Sequence, residues 1–132
     1  MNESYKDIYN SGAYLANNAS WHEEDSPWKA SNIEKIINRN NISPNSICEV
    51  GCGAGGILKE MKLKYSDTIF TGYEISEDAF NLCQQKSSNN LKFYLSDIEN
   101  EDVYYDIVMA IDVFEHVEDY FGFLKMLKNK AK

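Results

Sequence analysis

The sequence predicts an α/β domain, a parallel sheet with helices packed on both of its faces. Three observations carry this. From Ser46 onward, short apolar runs rich in β-branched and aromatic residues alternate with longer stretches whose apolar residues recur at helical spacing, an order the layer rules assign to a parallel sheet. Four glycines, Gly51, Gly53, Gly55 and Gly56, fall between the first run and the first helical stretch after it. Tyr105 to Ile111 is a near-continuous apolar run, the pattern of a strand covered on both faces.

Residues 1–28 mix polar and aromatic side chains without a clean period and read as an N-terminal arm or lid on a single domain spanning 1–132. Ser26-Pro27 reads as an N-cap followed by proline at the first helical position, and Ala30, Ile33, Ile36 and Ile37 then recur at helical spacing, predicting a helix from about Pro27 to Asn40. The turn residues Asn40 to Asn45 end it. Ser46 to Val50 reads as the first strand and Gly51 to Gly56 as a loop. Ile57, Leu58 and Met61 form the buried stripe of a helix reaching about Lys64. Thr68 to Tyr73 is the second strand. Ser76 caps a helix whose first turn carries Glu77 and Asp78, matched to the positive end of the helix dipole. Leu91 to Leu95 is the third strand and Tyr105 to Ile111 the fourth, and Phe121, Leu124 and Leu127 stripe a final helix. The order is that of a Rossmann-like sheet, of which a complete doubly wound example has two or three strands more.

With 132 residues the chain has room for one core, and a second domain is excluded. Thirteen lysines and arginines against 21 acids give a net charge of −8, with Arg39 the single arginine, which argues against a partner that is nucleic acid. Three cysteines and no secretory-type apolar stretch predict a reducing, cytoplasmic setting. No run approaches the ~20 apolar residues that a membrane-crossing helix needs. Cys48 and Cys52 lack the spacing and the partner histidines of a zinc site, so no metal is expected. Cys48 reads as buried filler, and Cys52 as a loop residue that meets a ligand through its backbone.

The glycine loop follows a strand and opens a helix, the context in which such a cluster cradles a ligand. Gly51-x-Gly53-x-x-Gly56 matches the dinucleotide fingerprint, and Glu74, 19 residues past Gly55 at the end of the second strand, is placed to accept from ribose hydroxyls. These features alone leave an NAD(P)-binding oxidoreductase open. Read as Gly51-x-Gly53-x-Gly55 preceded by Glu49, the same stretch resembles the first motif of class I S-adenosylmethionine-dependent methyltransferases of the small-molecule type. Asp97 after the third strand, and Asp112-Val113-Phe114-Glu115-His116 after the fourth, are similar to further stations of that family. A dehydrogenase requires neither.

The resemblance implies S-adenosylmethionine as cofactor, S-adenosylhomocysteine as product and a small-molecule acceptor. It implies cofactor contacts from Glu49, Gly51, Cys52, Gly53, Gly55, Glu74, Ile75, Asp97, Ile98, Asp112 and Val113, with Asp97 on the adenine amine and the following amide on the ring. Trp28 and Lys29 at the end of the arm are candidates for the sulfonium and for the cofactor's carboxylate. His116 and His22 are the candidate general bases. The family sheet has seven strands in which the first four run in the order 3-2-1-4, so the resemblance implies a C-terminally incomplete chain whose residues 29–132 are the cofactor-binding half. It also implies an unpaired strand-four edge, through which self-association is expected. A non-catalytic cofactor-binding or interaction module is the alternative of another class.

Overall fold

A computed structural model of the protein describes residues 23–132. A 3-10 turn, Glu23–Asp25, leads into α1 (Ser26–Arg39). There follow β1 (Ser46–Val50), α2 (Gly56–Lys62), β2 (Ile69–Glu74), α3 (Glu77–Cys83), β3 (Leu91–Leu95), β4 (Ile107–Met109) and α4 (Tyr120–Lys130). The four strands form one parallel sheet, as the alternation predicts, in the order β3-β2-β1-β4, which the family resemblance implies.

Helices cover both faces. On one, α1, α2 and α3 bury Ala30, Ile37, Leu58, Met61 and Cys83 against Ile47, Phe70, Leu91, Phe93 and Met109. Phe70, Ile47, Leu58 and Met61 are fully buried, each contributing about 1.5–3 kcal/mol of apolar transfer. On the other face α4 packs Phe123, Met126 and Leu127 against Cys48, Val50, Tyr73, Ile98 and Tyr105. Cys48 is the buried filler expected of it. Successive residues of β1 point to opposite faces, which is why Ile47 joins one cluster and Cys48 the other.

Three elements differ from the sequence reading. Ser26 does not cap α1 but is its buried first residue, with Asp25 at the N-cap position and no side-chain cap bond. Its hydroxyl packs where a Cβ on Gly56 would overlap it, so α1 and α2 meet through a serine and a glycine. β4 is three residues long and only Met109 is buried, because Tyr105 turns its backbone away. The Tyr105 N–H donates to the Lys130 carbonyl at 2.8 Å, and its carbonyl accepts from Lys132 at 2.9 Å. Ala131 therefore bridges Tyr105 in parallel and covers the start of the β4 edge, while Ile107–Met109 have no second strand partner among the described residues. In α4 the predicted stripe is displaced: Phe121 is 86% exposed and Leu124 half-exposed, and Phe123, Met126 and Leu127 face the sheet.

Candidate functional site

The loop after β1 is glycine-rich because its backbone demands it. Gly51, Gly53 and Gly55 have φ of +71°, +56° and +81°, a region L side chains rarely enter. Space is short as well: a Cβ on Gly51 would stand 2.8 Å from Val113 Cγ2, and one on Gly55 2.7 Å from Phe93 Cζ. The amides of Gly51 and Cys52 donate to the Tyr73 carbonyl at 2.8 and 3.1 Å, which ties the loop to the end of β2.

Two carboxylates lie beneath the loop, one at the end of each central strand. Glu74 Oε2 accepts from the Gly53 amide at 2.8 Å, and its Oε1 accepts from the Ile75 and Ser76 amides at 2.9 Å each. Burial pushes its pKa up, and the three amides oppose that shift. Glu49 is 2% exposed, and its Oε2 has no hydrogen-bond partner among the described residues. Burial first, then the charge of Glu74, hold its pKa well above the usual carboxylate range, while Lys29 pulls it back.

Across the opening, Lys29 Nζ lies 2.6 Å from Asp112 Oδ2, a link from α1 to the turn after β4. Asp112 holds a left-handed φ of +57°. The hydrogen bond to Asp112 raises the Lys29 pKa, against desolvation. His116 ends the 3-10 turn Phe114–His116, with Nε2 3.6 Å from Glu115 Oε1.

Two cavities open at the carboxyl ends of the strands, where open α/β sheets place ligands. The wider, about 510 Å³, is lined by Lys29, Glu49, Gly51, Cys52, Gly53, Glu74, Ile75, Asp112, Val113, Glu115 and His116, together with Glu23, Asp25 and Ser26. The narrower, about 330 Å³, is lined by Tyr73, Ile75, Asp97, Ile98, Phe123 and Met126. Gly51 and Ile75 line both, so the cavities are two lobes of one groove. Asp97 Oδ1 accepts from the Glu99 amide at 3.0 Å and caps the 3-10 turn Ile98–Asn100, and the Ile98 side chain is core.

Most of the residues singled out in the sequence therefore line one groove. Gly55 lies in its loop without lining either lobe. Trp28 is not brought in: it is 71% exposed on α1 and lines neither lobe. His22 lies outside the described residues. Glu23, Asp25 and Ser26 belong to the segment read as an arm or lid, but the sequence reading gave none of the three a place in the site. It also passed over Phe123 and Met126, hidden by the misplaced stripe of α4.

A family model described as a methyltransferase domain matches residues 21–132. The ubiquinone biosynthesis O-methyltransferase of Rickettsia prowazekii is 32% identical over 105 residues, covering 76% of this chain and 41% of that protein. N-methyltransferase 4 of Papaver somniferum is 28% identical over 96 residues, covering 66% of this chain and 27% of that protein. The chain thus spans less than half the length of these relatives. Among solved structures, magnesium protoporphyrin IX methyltransferase from Synechocystis with bound S-adenosylhomocysteine superposes with a TM-score of 0.78 at 20% identity, over 97% of this chain and 67% of that one. A plantazolicin methyltransferase with bound S-adenosylhomocysteine gives 0.73 at 19% identity, over 96% of this chain and 54% of the other. These two likenesses concern the fold. The match of the family model to all but the first 20 residues settles the family: this chain belongs to the methyltransferase-domain family.

Proposed function

We propose that the protein is an S-adenosylmethionine-dependent methyltransferase with a small-molecule acceptor, and that the two-lobed groove holds the cofactor. The observation that carries this reading is the shared floor of the lobes, Gly51 and Ile75, which sets Glu49, Glu74 and Asp97 along a single groove. The groove suits that cofactor chemically. Glu49 has a buried oxygen without a partner among the described residues, which calls for a cationic or donating group, and the tight glycine loop lets a ligand approach backbone. The bound cofactor supplies a methyl group already activated on a sulfonium, so positioning is the chain's main task.

Each residue then has a role. Glu74, held still by three amides, presents its remaining lone pairs to ribose hydroxyls. Asp97 accepts from the adenine amine in the narrower lobe, with the Ile98 amide on the ring and Ile75 as an apolar wall. Glu49 receives the cofactor's ammonium. Lys29 exchanges part of its pairing with Asp112 for the cofactor's carboxylate. Gly51, Cys52, Gly53 and Gly55 supply backbone, and Val113 packs beneath Gly51. His116 serves as the general base where the acceptor must lose a proton, and His22 in the arm is the second candidate. Trp28, exposed on α1, has no part in this reading. The three free cysteines suit a reducing compartment. The outer edge of Ile107–Met109 is where a second copy would pair.

Calorimetric titration of Gly53→Val and Asp97→Ala with S-adenosylhomocysteine tests the assignment. Valine at a φ of +56° abolishes binding, and loss of the aspartate weakens it by ~1–3 kcal/mol. Unchanged affinity in both variants would overturn it.

A further inference from the structure

The chain has three cysteines, Cys48, Cys52 and Cys83, and all are free thiols inside the fold. β1 sends Cys48 to the α4 face of the sheet, while the other two share the opposite face with Phe93. Cys52 comes from the glycine loop and Cys83 is the last residue of α3, and the fold brings their thiols into hydrogen-bond contact. Cys83 Sγ in turn donates to the Phe80 carbonyl at 3.4 Å. Backbone boxes the pair in: a Cβ on Gly72 would stand 2.8 Å from Cys52 Sγ, and one on Gly55 3.0 Å from Cys83 Cβ. Cys52 lines the wider lobe and Cys83 lines neither, so the pair has one member open to the groove and one beneath it.

The cofactor reading uses neither sulfur, since Cys52 serves it through backbone and Cys83 is fully buried in the core. Two thiols in contact, one of them reached from a cavity, are the arrangement in which a first oxidation is resolved by a neighbouring thiol. Burial, and then the bond to Cys83, raise the Cys52 pKa, which keeps the thiol protonated and its oxidation slow. The sulfurs of a disulfide lie about 2 Å apart, closer than hydrogen-bonded thiols. Closing one here draws the glycine loop toward α3. The loop has no slack for that movement, because Gly51 and Gly55 already lie against Val113 and Phe93.

We propose that Cys52 and Cys83 form an oxidisable dithiol: in the ligand-free chain hydrogen peroxide entering the wider lobe closes them into a disulfide, and the disulfide weakens the hold on the cofactor. The second part rests on the methyltransferase reading above. The Cys52 sulfur takes one oxygen of the peroxide as the oxygen–oxygen bond breaks, leaving a sulfenic acid and one water. The Cys83 sulfur then attacks the Cys52 sulfur, the sulfur–oxygen bond breaks, and the oxygen leaves as a second water with the Cys83 proton. The two thiols lose two electrons and two protons, and the peroxide becomes two waters. A thiol reductant reverses the closure by exchange. A cofactor seated on the loop covers Cys52 and slows the first step.

The test treats the chain with hydrogen peroxide, alkylates the remaining thiols under denaturing conditions and maps the cysteines by mass spectrometry without reduction. A Cys52–Cys83 link with Cys48 alkylated is the expected product, formed more slowly when S-adenosylhomocysteine is present. Calorimetry should then show the oxidised chain binding S-adenosylhomocysteine about tenfold more weakly than the reduced one, with a thiol reductant restoring the affinity. Cys83→Ala should bind as the reduced wild type does and form no disulfide, and in it Cys52 should stop at the sulfenic acid, trapped by a cyclic dione. Cys52 and Cys83 both free after oxidation, a link through Cys48 instead, or an oxidised chain that binds as tightly as the reduced one overturns the inference while the cofactor reading stands. A reduced chain that does not bind S-adenosylhomocysteine overturns that reading and the control of cofactor binding together.

Discussion

Glu49 is a carboxylate that the fold buries with no partner for its Oε2 among the described residues, and its raised pKa makes a prediction about stability. A group whose folded pKa lies above its unfolded value contributes stability that is complete below the unfolded value, near 4.5, and is lost as pH rises through the elevated one. The ligand-free chain should therefore gain stability as pH falls from neutral toward that value. Glu49→Gln should flatten this dependence, raise neutral-pH stability by ~1 kcal/mol, and weaken S-adenosylhomocysteine by ~1.5–3 kcal/mol through the lost charge-assisted bond. Thermal melts across pH with and without ligand read all three, and a variant with the wild-type pH slope would contradict the assignment. Gly51, Glu49 and Glu74 were legible from the sequence because strand ends and loop backbone fix where they go. The Lys29–Asp112 pair was not, since 83 residues separate its members. Trp28 was misjudged for a related reason: α1 buries Ser26, Ala30 and Ile37, and a residue two places from both Ser26 and Ala30 lies on another face of the helix.

At the scale of elements, α4 shows how a helical period can be right and its phase wrong. Phe121, Leu124 and Leu127 are spaced as a stripe, but so are Phe123, Met126 and Leu127, and only the sheet decides between them. Asp119 helps fix the phase by capping the helix, accepting from the Gly122 amide at 2.9 Å. Phe123 also meets Phe114 edge-on, with ring centroids 5.1 Å apart, so the core of α4 continues into the 3-10 turn that bears His116. Phe123→Ala should lower stability by about 2 kcal/mol, whereas Phe121→Ala should fall within about 0.5 kcal/mol of the wild type. Denaturant unfolding of the two variants checks the order, and a larger loss at Phe121 would reverse the account of this helix. β4 came out shorter than its apolar run because apolar content marks what can be buried. The extent of the ladder depends on where Tyr105 and Asp106 send their backbone groups, to Lys130, Lys132 and Ser46 Oγ.

Over the whole molecule, the parallel sheet and the two-sided helical cover followed from alternation, because short connections and right-handed crossovers leave few other ways to join these elements, whereas the strand order was implied by the family resemblance. The two-lobed shape of the groove was beyond that reasoning, since it depends on Phe123, Met126 and the α1 start meeting over strand ends far away in sequence. The dinucleotide fingerprint in the same loop now has a different weight. Gly56, its third glycine, is small because Ser26 of α1 sits against it, a helix–helix contact. A ligand that binds only the folded chain raises its stability by about 2.7 kcal/mol at a hundredfold excess over Kd, so binding and melting should move together. The most direct measurement is parallel calorimetric titration of the chain with S-adenosylmethionine, S-adenosylhomocysteine and NAD. Saturable single-site binding of the first two with none for NAD is the result this account predicts, and binding of NAD, or silence toward all three, would contradict it.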